Sequence, residues 1–321
     1  MPINQIIIFG STGMLGRYVT RYLTEQYQGT ETQVIPLDRS KYNILTQSFQ
    51  ELDELLNTYI TISSHGINTV GAGVPRNLHT PPGVGLECNV NGTCIINCAG
   101  LIPQRLTQSH NKNKANYYLV NSIFPQMLDQ LANKYRARLI HITTDCVYHG
   151  IIKSYPATYT EMDPPDEQDN YGHSKLLGEN LSPNTTIIRT SIIGDELTPT
   201  GVSFLSWVKN SAGIISGWDN HYWNGITCYQ LAVIIWQIIQ RNLFWPGIKH
   251  IYSPEIVSKY QLALIIKEVY NLDDLVINRV TQPTSINKAL GTIYPNTCNQ
   301  FSIPDLKTQL LAQAQFDAEL T

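Results

Sequence analysis

The chain has 321 residues, a hydrophobic share of 42% and a charged share of 15%, which is enough for one large or two ordinary domains. The formal net charge of -3 gives no attraction to nucleic acid, whose binding usually depends on lysine and arginine against phosphates, so no nucleic-acid partner is expected. The six cysteines lack a metal-binding or disulfide spacing, and no apolar run is long enough to span a membrane, so we expect a cytoplasmic protein with no metal site and no membrane contact.

The first part of the chain predicts alternating strands and helices. In chain order the predicted elements are strand 6–9, helix 14–28, strand 34–37, helix 45–59, strand 93–97, helix 116–134, strand 138–143, helix 171–181 and strand 186–189. Continuous apolar strands that alternate with helices are typical of a parallel sheet covered on both faces. We therefore predict an α/β fold, with a Rossmann-type doubly wound parallel sheet in a first domain over residues 1–190. Residues 60–92 interrupt the rhythm as a long irregular stretch, to which no role is assigned.

The second part of the chain, residues 191–321, predicts a smaller mixed α/β lobe that mainly binds substrate, with some segments returning to the first domain. Its predicted helices cover residues 202–212, 228–240, 259–270 and 303–316. A stretch dense in polar aromatics contains Trp223 and Asn224, and aromatic faces with amides suit sugar or base recognition. Both residues are candidate substrate contacts, with an ordinary core position as the alternative for Trp223.

Three glycines lie between the first predicted strand and its helix, in the spacing G-x-x-G-x-x-G. The first allows a tight turn, the second lets the backbone approach a pyrophosphate, and the third lets the helix pack on the strand. The helix N-terminus then offers free N–H groups to the phosphates. The predicted cofactor contacts in this turn are Gly10, Thr12, Gly13, Met14, Leu15 and Gly16.

The residues after the second predicted strand concern the choice of coenzyme. Asp38 can accept hydrogen bonds from both ribose hydroxyls, which favours NAD. Arg39 and Lys41 can pair with a 2′-phosphate, which favours NADP. Two cations outweigh one carboxylate, so the sequence favours NADP(H), with NAD(H) as the alternative.

Small residues follow the third predicted strand. Cys98, Ala99 and Gly100 leave room for a cofactor at the carboxyl end of the sheet, where ligands bind in open α/β folds. Arg105 comes just after them. It is a candidate contact for a phosphate of the substrate or cofactor, and a solvated surface position is the alternative.

The predicted catalytic groups are Thr144, Tyr171 and Lys175. Spacing of four puts Tyr171 and Lys175 on one helix face, where the phenol can pass a proton to a carbonyl oxygen. Lys175 is expected to lower the pKa of that phenol and to bind the nicotinamide ribose. Thr144 ends a strand and is expected to hold the substrate oxygen, with Asp145 beside it as a further substrate contact and Thr143 as the alternative hydroxyl.

These motifs together resemble the extended short-chain dehydrogenase/reductase superfamily, and within it the branch of the dTDP-4-dehydrorhamnose reductases and related nucleotide-sugar 4-ketoreductases. The resemblance rests on IIIFGSTGMLG, NCAG, HITTDCVY, YGHSKLLGE and IIRTSIIG. It implies NAD(P)H-dependent reduction of a 4-keto-6-deoxy sugar carried on dTDP or UDP, with Thr144, Tyr171 and Lys175 as the triad. It also implies that Asn43 and Ile44 lie near the adenine.

Other functions stay open at this point. A nucleotide-sugar epimerase, or a bifunctional epimerase and reductase, is the alternative within enzymes. A dehydratase of the superfamily would have an Asp-Glu pair where this chain has Asp145 and Cys146. A non-catalytic regulatory subunit resembling that of methionine adenosyltransferase is the alternative from another class. The predicted partner is a nucleoside-diphosphate sugar, and a homodimer is left open.

Overall fold

The structure, a computed structural model, describes residues 2–64, 92–108, 113–196 and 201–319. Its strands are β1 (Gln5–Phe9), β2 (Gln33–Leu37), β3 (Thr93–Asn97), β4 (Arg138–Thr144), β5 (Thr185–Thr190), β6 (Ile192–Ile193), β7 (Ile214–Trp218), β8 (His221–Trp223), β9 (Ile226–Thr227), β10 (Gly247–His250), β11 (Val257–Ser258), β12 (Val276–Val280) and β13 (Ile286–Asn287). Its α-helices are α1 (Met14–Gln26), α2 (Phe49–Ser64), α3 (Pro103–Gln108), α4 (Ala115–Tyr118), α5 (Phe124–Tyr135), α6 (Asn170–Leu177), α7 (Phe204–Asn210), α8 (Cys228–Gln240), α9 (Lys259–Val269), α10 (Pro295–Asn299) and α11 (Leu306–Ala318).

A six-stranded parallel sheet forms the centre of the molecule, in the order β2-β1-β3-β4-β5-β10. The predicted Rossmann-type α/β fold is confirmed. From β1 the chain moves first to β2 on one side and later to β3 on the other, so the strand order reverses between β1 and β3. In open α/β sheets, ligands bind in the crevice at the carboxyl ends of the strands at this point.

Strand β1, near the centre of the sheet, is buried on both faces. It is apolar at every position but its first. Ile6 and Ile8 pack in a core that includes residues of α1 and α8. Ile7 and Phe9 point to the opposite face, into a core shared with α2 and α5. Alternation of side chains along a strand produces these two layers.

Several predicted helices differ from the structure: the one predicted over residues 45–59 is α2 (Phe49–Ser64), and the one predicted over residues 171–181 is α6, which ends at Leu177. The helix predicted over residues 116–134 is interrupted between α4 and α5 by a π-helical turn, Leu119–Ile123, a feature that often marks functional sites. Residues 60–64 of the stretch predicted to be irregular are helical, because α2 continues to Ser64. The rest of that stretch, residues 65–91, lies outside the described residues.

The second lobe contains a small sheet of β11, β8 and β13 and a pair of β12 and β7. Its core joins Leu205, Trp223, Leu262 and Leu310. Strand β10 returns to the large sheet from beyond residue 190, while the division between residues 190 and 191 stays a prediction. No helix in the described ranges has the length and apolarity needed to cross a membrane.

Candidate active site

The glycine turn between β1 and α1 has no room for side chains at two positions. Gly10 has a φ of +73°, and a Cβ there would lie 2.7 Å from the backbone nitrogen of Ala99. A Cβ on Gly16 would lie 1.9 Å from the carbonyl oxygen of Gly10. A Cβ on Gly13 would approach only that same oxygen, at 3.3 Å, so Gly13 borders open space. This is the pattern expected of a turn whose backbone must meet a phosphate.

The N-terminus of α1 is open at this turn. Gly13 is the N-cap without a side-chain hydrogen bond, and the first turn carries no acidic residue. Thr12 is exposed and Met14 is half-buried, whereas Leu15 is buried in the core. Leu15 therefore offers its backbone N–H, rather than its side chain, to a ligand at the helix end.

The residues after β2 are arranged in a way that favours NADP. Ser40 donates to Asp38 Oδ1 through its backbone nitrogen at 2.8 Å and through its hydroxyl at 2.6 Å. Hydrogen bonds from Ser40 lower the pKa of Asp38. Arg39 is exposed and, within the described ranges, makes no hydrogen bond or ion pair. The Asp38 carboxylate is therefore hydrogen-bonded to Ser40, whereas the Arg39 guanidinium has no partner among the described residues.

The two predicted adenine contacts follow on the next turn. Asn43 Oδ1 accepts a hydrogen bond from the backbone of Leu45 at 3.2 Å, and Ile44 packs beside the core between the sheet, α2 and α5. Both are only partly buried. The structure therefore leaves one side of each available beside the end of β2.

The segment after β3 connects the glycine turn to the predicted catalytic lysine. Ala99 meets the Gly10 position, as described above, and Cys98 donates its backbone N–H to Phe9 O at 3.0 Å. At the other end, a Cβ on Gly100 would lie 2.9 Å from Lys175 Nζ. Three consecutive small residues thus connect the glycine turn to Lys175.

Thr144 and Tyr171 lie together at the carboxyl ends of β4 and the start of α6. The Thr144 side chain lies within hydrogen-bonding reach of the Tyr171 phenol and acts to lower its pKa. Thr144 Oγ1 also accepts from Cys146 N at 3.1 Å and donates to Asp145 Oδ1 at 3.2 Å. The α6 helix is fixed at its start by Asp169, whose carboxylate accepts from Gly172 N at 2.6 Å.

The expected lowering of the Tyr171 pKa by Lys175 is wrong for the chain by itself. Burial of the phenol raises its pKa, nearby Cys146 and Asp145 act in the same direction, and only the hydrogen bond to Thr144 opposes them. Removing a phenolate from water costs more than this hydrogen bond returns. The phenol is therefore protonated at neutral pH, which is the form that a proton donor needs.

Lys175 is buried, with 6% exposure, and lies beside the π-helical turn. Asn121 in that turn accepts from Leu101 N at 2.9 Å and donates to Leu101 O and to Ser174 Oγ, both at 3.0 Å. These bonds tie the segment after β3 to α6, next to Lys175. Burial lowers the pKa of Lys175 to about 8, and Glu179 opposes that shift.

Two lysines that the sequence did not single out, Lys259 and Lys288, lie near enough to Asp145 to act on its pKa. Asp145 is buried, which raises its pKa, while Lys288 and Lys259 act in the opposite direction. Lys288 Nζ lies 3.6 Å from Glu167 Oε2. Lys259 Nζ stands 5.0 Å above the ring of Trp223. No local motif identifies these lysines as ligand contacts, although Lys259 opens the helix that the sequence predicts over residues 259–270, directly after the N-cap Ser258.

Three predicted substrate residues have other partners. Arg105 pairs with Glu196. Trp223 is 5% exposed in the core of the second lobe. Asn224 donates to Leu290 O and accepts from Leu290 N, both at 2.8 Å, so its amide joins two loops of the lobe. These contacts favour structural roles for Trp223 and Asn224, because a buried side chain with satisfied polar atoms has little to offer a ligand.

Comparison with known proteins points to one family. A family model described as the RmlD substrate binding domain matches residues 85–293, more than half of the chain. The chain is 24% identical over 300 residues to the dTDP-4-dehydrorhamnose reductase of Aggregatibacter actinomycetemcomitans, which covers 91% of this chain and 86% of that protein. It is 28% identical over 173 residues to the spore coat polysaccharide biosynthesis protein SpsK of Bacillus subtilis (strain 168), over 51% of this chain but only 58% of that relative's length. The crystal structure of a dTDP-4-dehydrorhamnose reductase from Bacillus anthracis in complex with NADP has the same fold, with a TM-score of 0.70 at 20% identity and coverage of 96% of this chain and 97% of that one.

Proposed function

The chain belongs to the family of the RmlD substrate binding domain, and on that premise we propose that it reduces a nucleoside-diphosphate 4-keto-6-deoxy sugar with NADPH. The observation that carries this proposal is the convergence of the glycine turn and Lys175 on the segment Cys98, Ala99 and Gly100. Reduction of a ketone needs a dinucleotide and a proton donor at one carbonyl. This segment lies between the glycine turn and Lys175, which shares a helix with the proposed donor Tyr171.

The cofactor site fits a dinucleotide phosphate. The absent side chain at Gly13 leaves the backbone open, Gly10 and Gly16 allow the turn to pack closely, and the N-terminus of α1 lies at the same turn. The guanidinium of Arg39, which has no hydrogen bond or ion pair within the described residues, suits a 2′-phosphate. Reduced nicotinamide, when bound, supplies a hydride.

The residues of the chain supply the proton and the orientation. Tyr171 donates its phenolic proton to the substrate oxygen, and Thr144 holds that oxygen at hydrogen-bonding distance from the phenol. Lys175 binds the ribose beside the nicotinamide and provides positive charge near the phenolate that forms. Because Tyr171 is protonated before the reaction, it can donate that proton as the carbonyl is reduced.

The substrate side of the crevice supports an anionic sugar ligand. Lys259 and Lys288 lie near enough to Asp145, one residue beyond Thr144, to act on its pKa, so positive charge lies close to the place proposed for the carbonyl. In a nucleotide sugar, the phosphate is separated from the keto carbon only by the sugar ring. We therefore propose that these lysines, rather than Trp223 and Asn224, contact the diphosphate end of the substrate.

The test is turnover of a dTDP- or UDP-linked 4-keto-6-deoxy sugar with NADPH, followed by loss of NADPH absorbance and by NMR of the sugar product. The expected result is one NADPH consumed for each new hydroxyl at the keto carbon. A rearranged sugar without NADPH consumption would replace reduction by epimerisation. Tight NADPH binding without turnover of any keto sugar would refute the enzymatic proposal.

A further inference from the structure

Two segments flank the glycine turn, one on each side of Gly13. On the first side, a Cβ on Gly10 would lie 2.7 Å from the backbone nitrogen of Ala99, in the segment that leads from β3 to α3. On the second side, a Cβ on Gly194 would lie 3.2 Å from Cγ of Met14, the first residue of α1. Gly13, the residue that borders open space, therefore lies between the two segments.

The second segment, residues 191–196, runs along the carboxyl ends of the sheet strands to reach α1. It follows β5, and in the sheet β4 and β3 separate β5 from β1. Its contact with Met14 lies where α1 begins, after the carboxyl end of β1. Arg17 in α1 fixes it there, because its Nε donates to Asp195 O at 3.0 Å. The segment thus crosses the end of the sheet where ligands bind in open α/β folds.

Glu196, the last residue of this segment, is anchored to the second lobe. Its side chain is only 8% exposed, and its Oε2 accepts hydrogen bonds from the backbone nitrogens of Val202 and Ser203, the latter at 2.8 Å. Ser203 is the N-cap of α7, and α7 packs in the core of the second lobe through Leu205. The carboxylate therefore has a fixed position.

The other oxygen of Glu196 binds a cation from the opposite segment. Its Oε1 accepts from Nη2 of Arg105, which lies in α3, just beyond Gly100. The Arg105 side chain is 38% exposed, so it can exchange the carboxylate for water without becoming a buried, unpaired cation. The ion pair thus joins the two segments that flank Gly13, and its arginine end can open.

We propose that the Arg105–Glu196 ion pair is a strap across the cofactor site, which opens to admit the dinucleotide and closes again over its pyrophosphate. The proposal rests on the cofactor site proposed above, but not on the reaction. While the strap is closed, Arg105 neutralises Glu196, so no net negative charge lies beside the phosphates. A strap that must open for entry and for exit slows both steps, and it changes the equilibrium affinity less than either rate.

The sequence left another role open for Arg105, a direct contact with a phosphate, and the two roles predict opposite effects of Glu196→Gln. This substitution keeps an oxygen that can accept from Val202 N and Ser203 N, but it removes the charge that holds Arg105. An arginine that binds phosphate would be freed by the loss of its competing carboxylate, and NADPH would leave more slowly. An arginine that closes a strap would lose its anchor, and NADPH would leave faster.

The experiment measures NADPH entry and exit on the full chain by stopped-flow fluorescence, with exit followed after addition of excess NADP⁺. The variants are Arg105→Met and Glu196→Gln. The matched control is Lys209→Met, which removes the neighbouring ion pair between Asp195 and α7 without touching α3. We expect both variants to raise kon and koff about five- to tenfold, as for the loss of one charged hydrogen bond. The Kd should change by less than about threefold, and Lys209→Met should keep the wild-type rates.

Three results would overturn the strap. The first is wild-type rates in both variants, and the second is slower release with tighter binding in Glu196→Gln. The third is a higher koff with an unchanged kon, which is the signature of a lost ligand contact. Should Glu196→Gln fail to fold by circular dichroism, Arg105→Met decides alone by the same rates, because it leaves the bonds of Glu196 to Val202 and Ser203 in place.

The failure of the strap and the failure of the reductase are distinguishable. NADPH binding with no turnover of any keto sugar would refute the reductase, while the entry and exit rates would still decide the strap. Normal turnover with unchanged rates in both variants would refute the strap and leave the reductase intact. A wild type that binds no NADPH would overturn both, because both need the cofactor site.

Discussion

Replacing Tyr171 by phenylalanine removes one hydroxyl from the centre of the proposed site. Positioned proton donors contribute about 100- to 10,000-fold to a rate, which corresponds to about 3–5 kcal/mol of transition-state stabilisation. The folded chain should lose much less. The deleted hydrogen bond to Thr144 is worth about 1 kcal/mol net, and Thr144 keeps its bonds to Cys146 N and Asp145 Oδ1, so no buried hydroxyl is left without a partner.

The assay compares turnover, cofactor affinity and thermal stability in one set of proteins. We expect kcat for keto-sugar reduction to fall by at least about 100-fold. The Kd for NADPH should change by less than about threefold, since the deleted hydroxyl faces the carbonyl. Tm should fall by no more than about 4 °C. The matched control is Tyr118→Phe. The Tyr118 hydroxyl donates to Oδ1 of Asn170 at 3.3 Å, and Asn170 lies next to Tyr171 in α6. Wild-type turnover in Tyr171→Phe would refute the assignment of the proton donor.

Three further predictions concern the cofactor and the lysine. Gly13→Val should weaken NADPH binding by 100-fold or more, on the order of 3 kcal/mol. The variant should still fold, because the added Cβ meets only Gly10 O, at 3.3 Å. Unchanged affinity in a fluorescence titration would disprove the assignment of this turn to the pyrophosphate. Arg39→Ala should weaken NADPH about tenfold or more and NADH hardly at all, and equal losses for both coenzymes would contradict a contact with the 2′-phosphate. Folding lowers the pKa of Lys175 from 10.5 to about 8, so the unfolded chain binds more protons between these values and this lysine costs stability below pH 8. Lys175→Met should therefore be more stable than the wild type at pH 7, with a free energy of unfolding in a denaturant titration higher by up to about 3 kcal/mol. The difference should vanish near pH 10.5. A difference that does not change with pH would refute the linkage.

The sequence by itself determined the features that depend on neighbouring residues. The apolar run of β1, the glycines after it and the helix from Met14 specify a phosphate-binding turn within a short stretch of chain, because φ > 0 at Gly10 and the close approach at Gly16 are local requirements. The spacing of Tyr171 and Lys175 placed both on one helix face for the same reason. The alternation of strands and helices fixed the fold class.

Tertiary structure alone decided which side chains are free to act. Asn224 looked like a sugar contact, but its amide is bound by Leu290, 66 residues away. Lys259 and Lys288 reach Asp145 only because the second lobe folds over the end of β4. The spacing of Tyr171 and Lys175 led us to expect a lowered pKa for the phenol. Burial, which no local pattern specifies, raises that pKa instead. Long-range contacts set partners and solvation, and these quantities govern the charge of every group in the crevice.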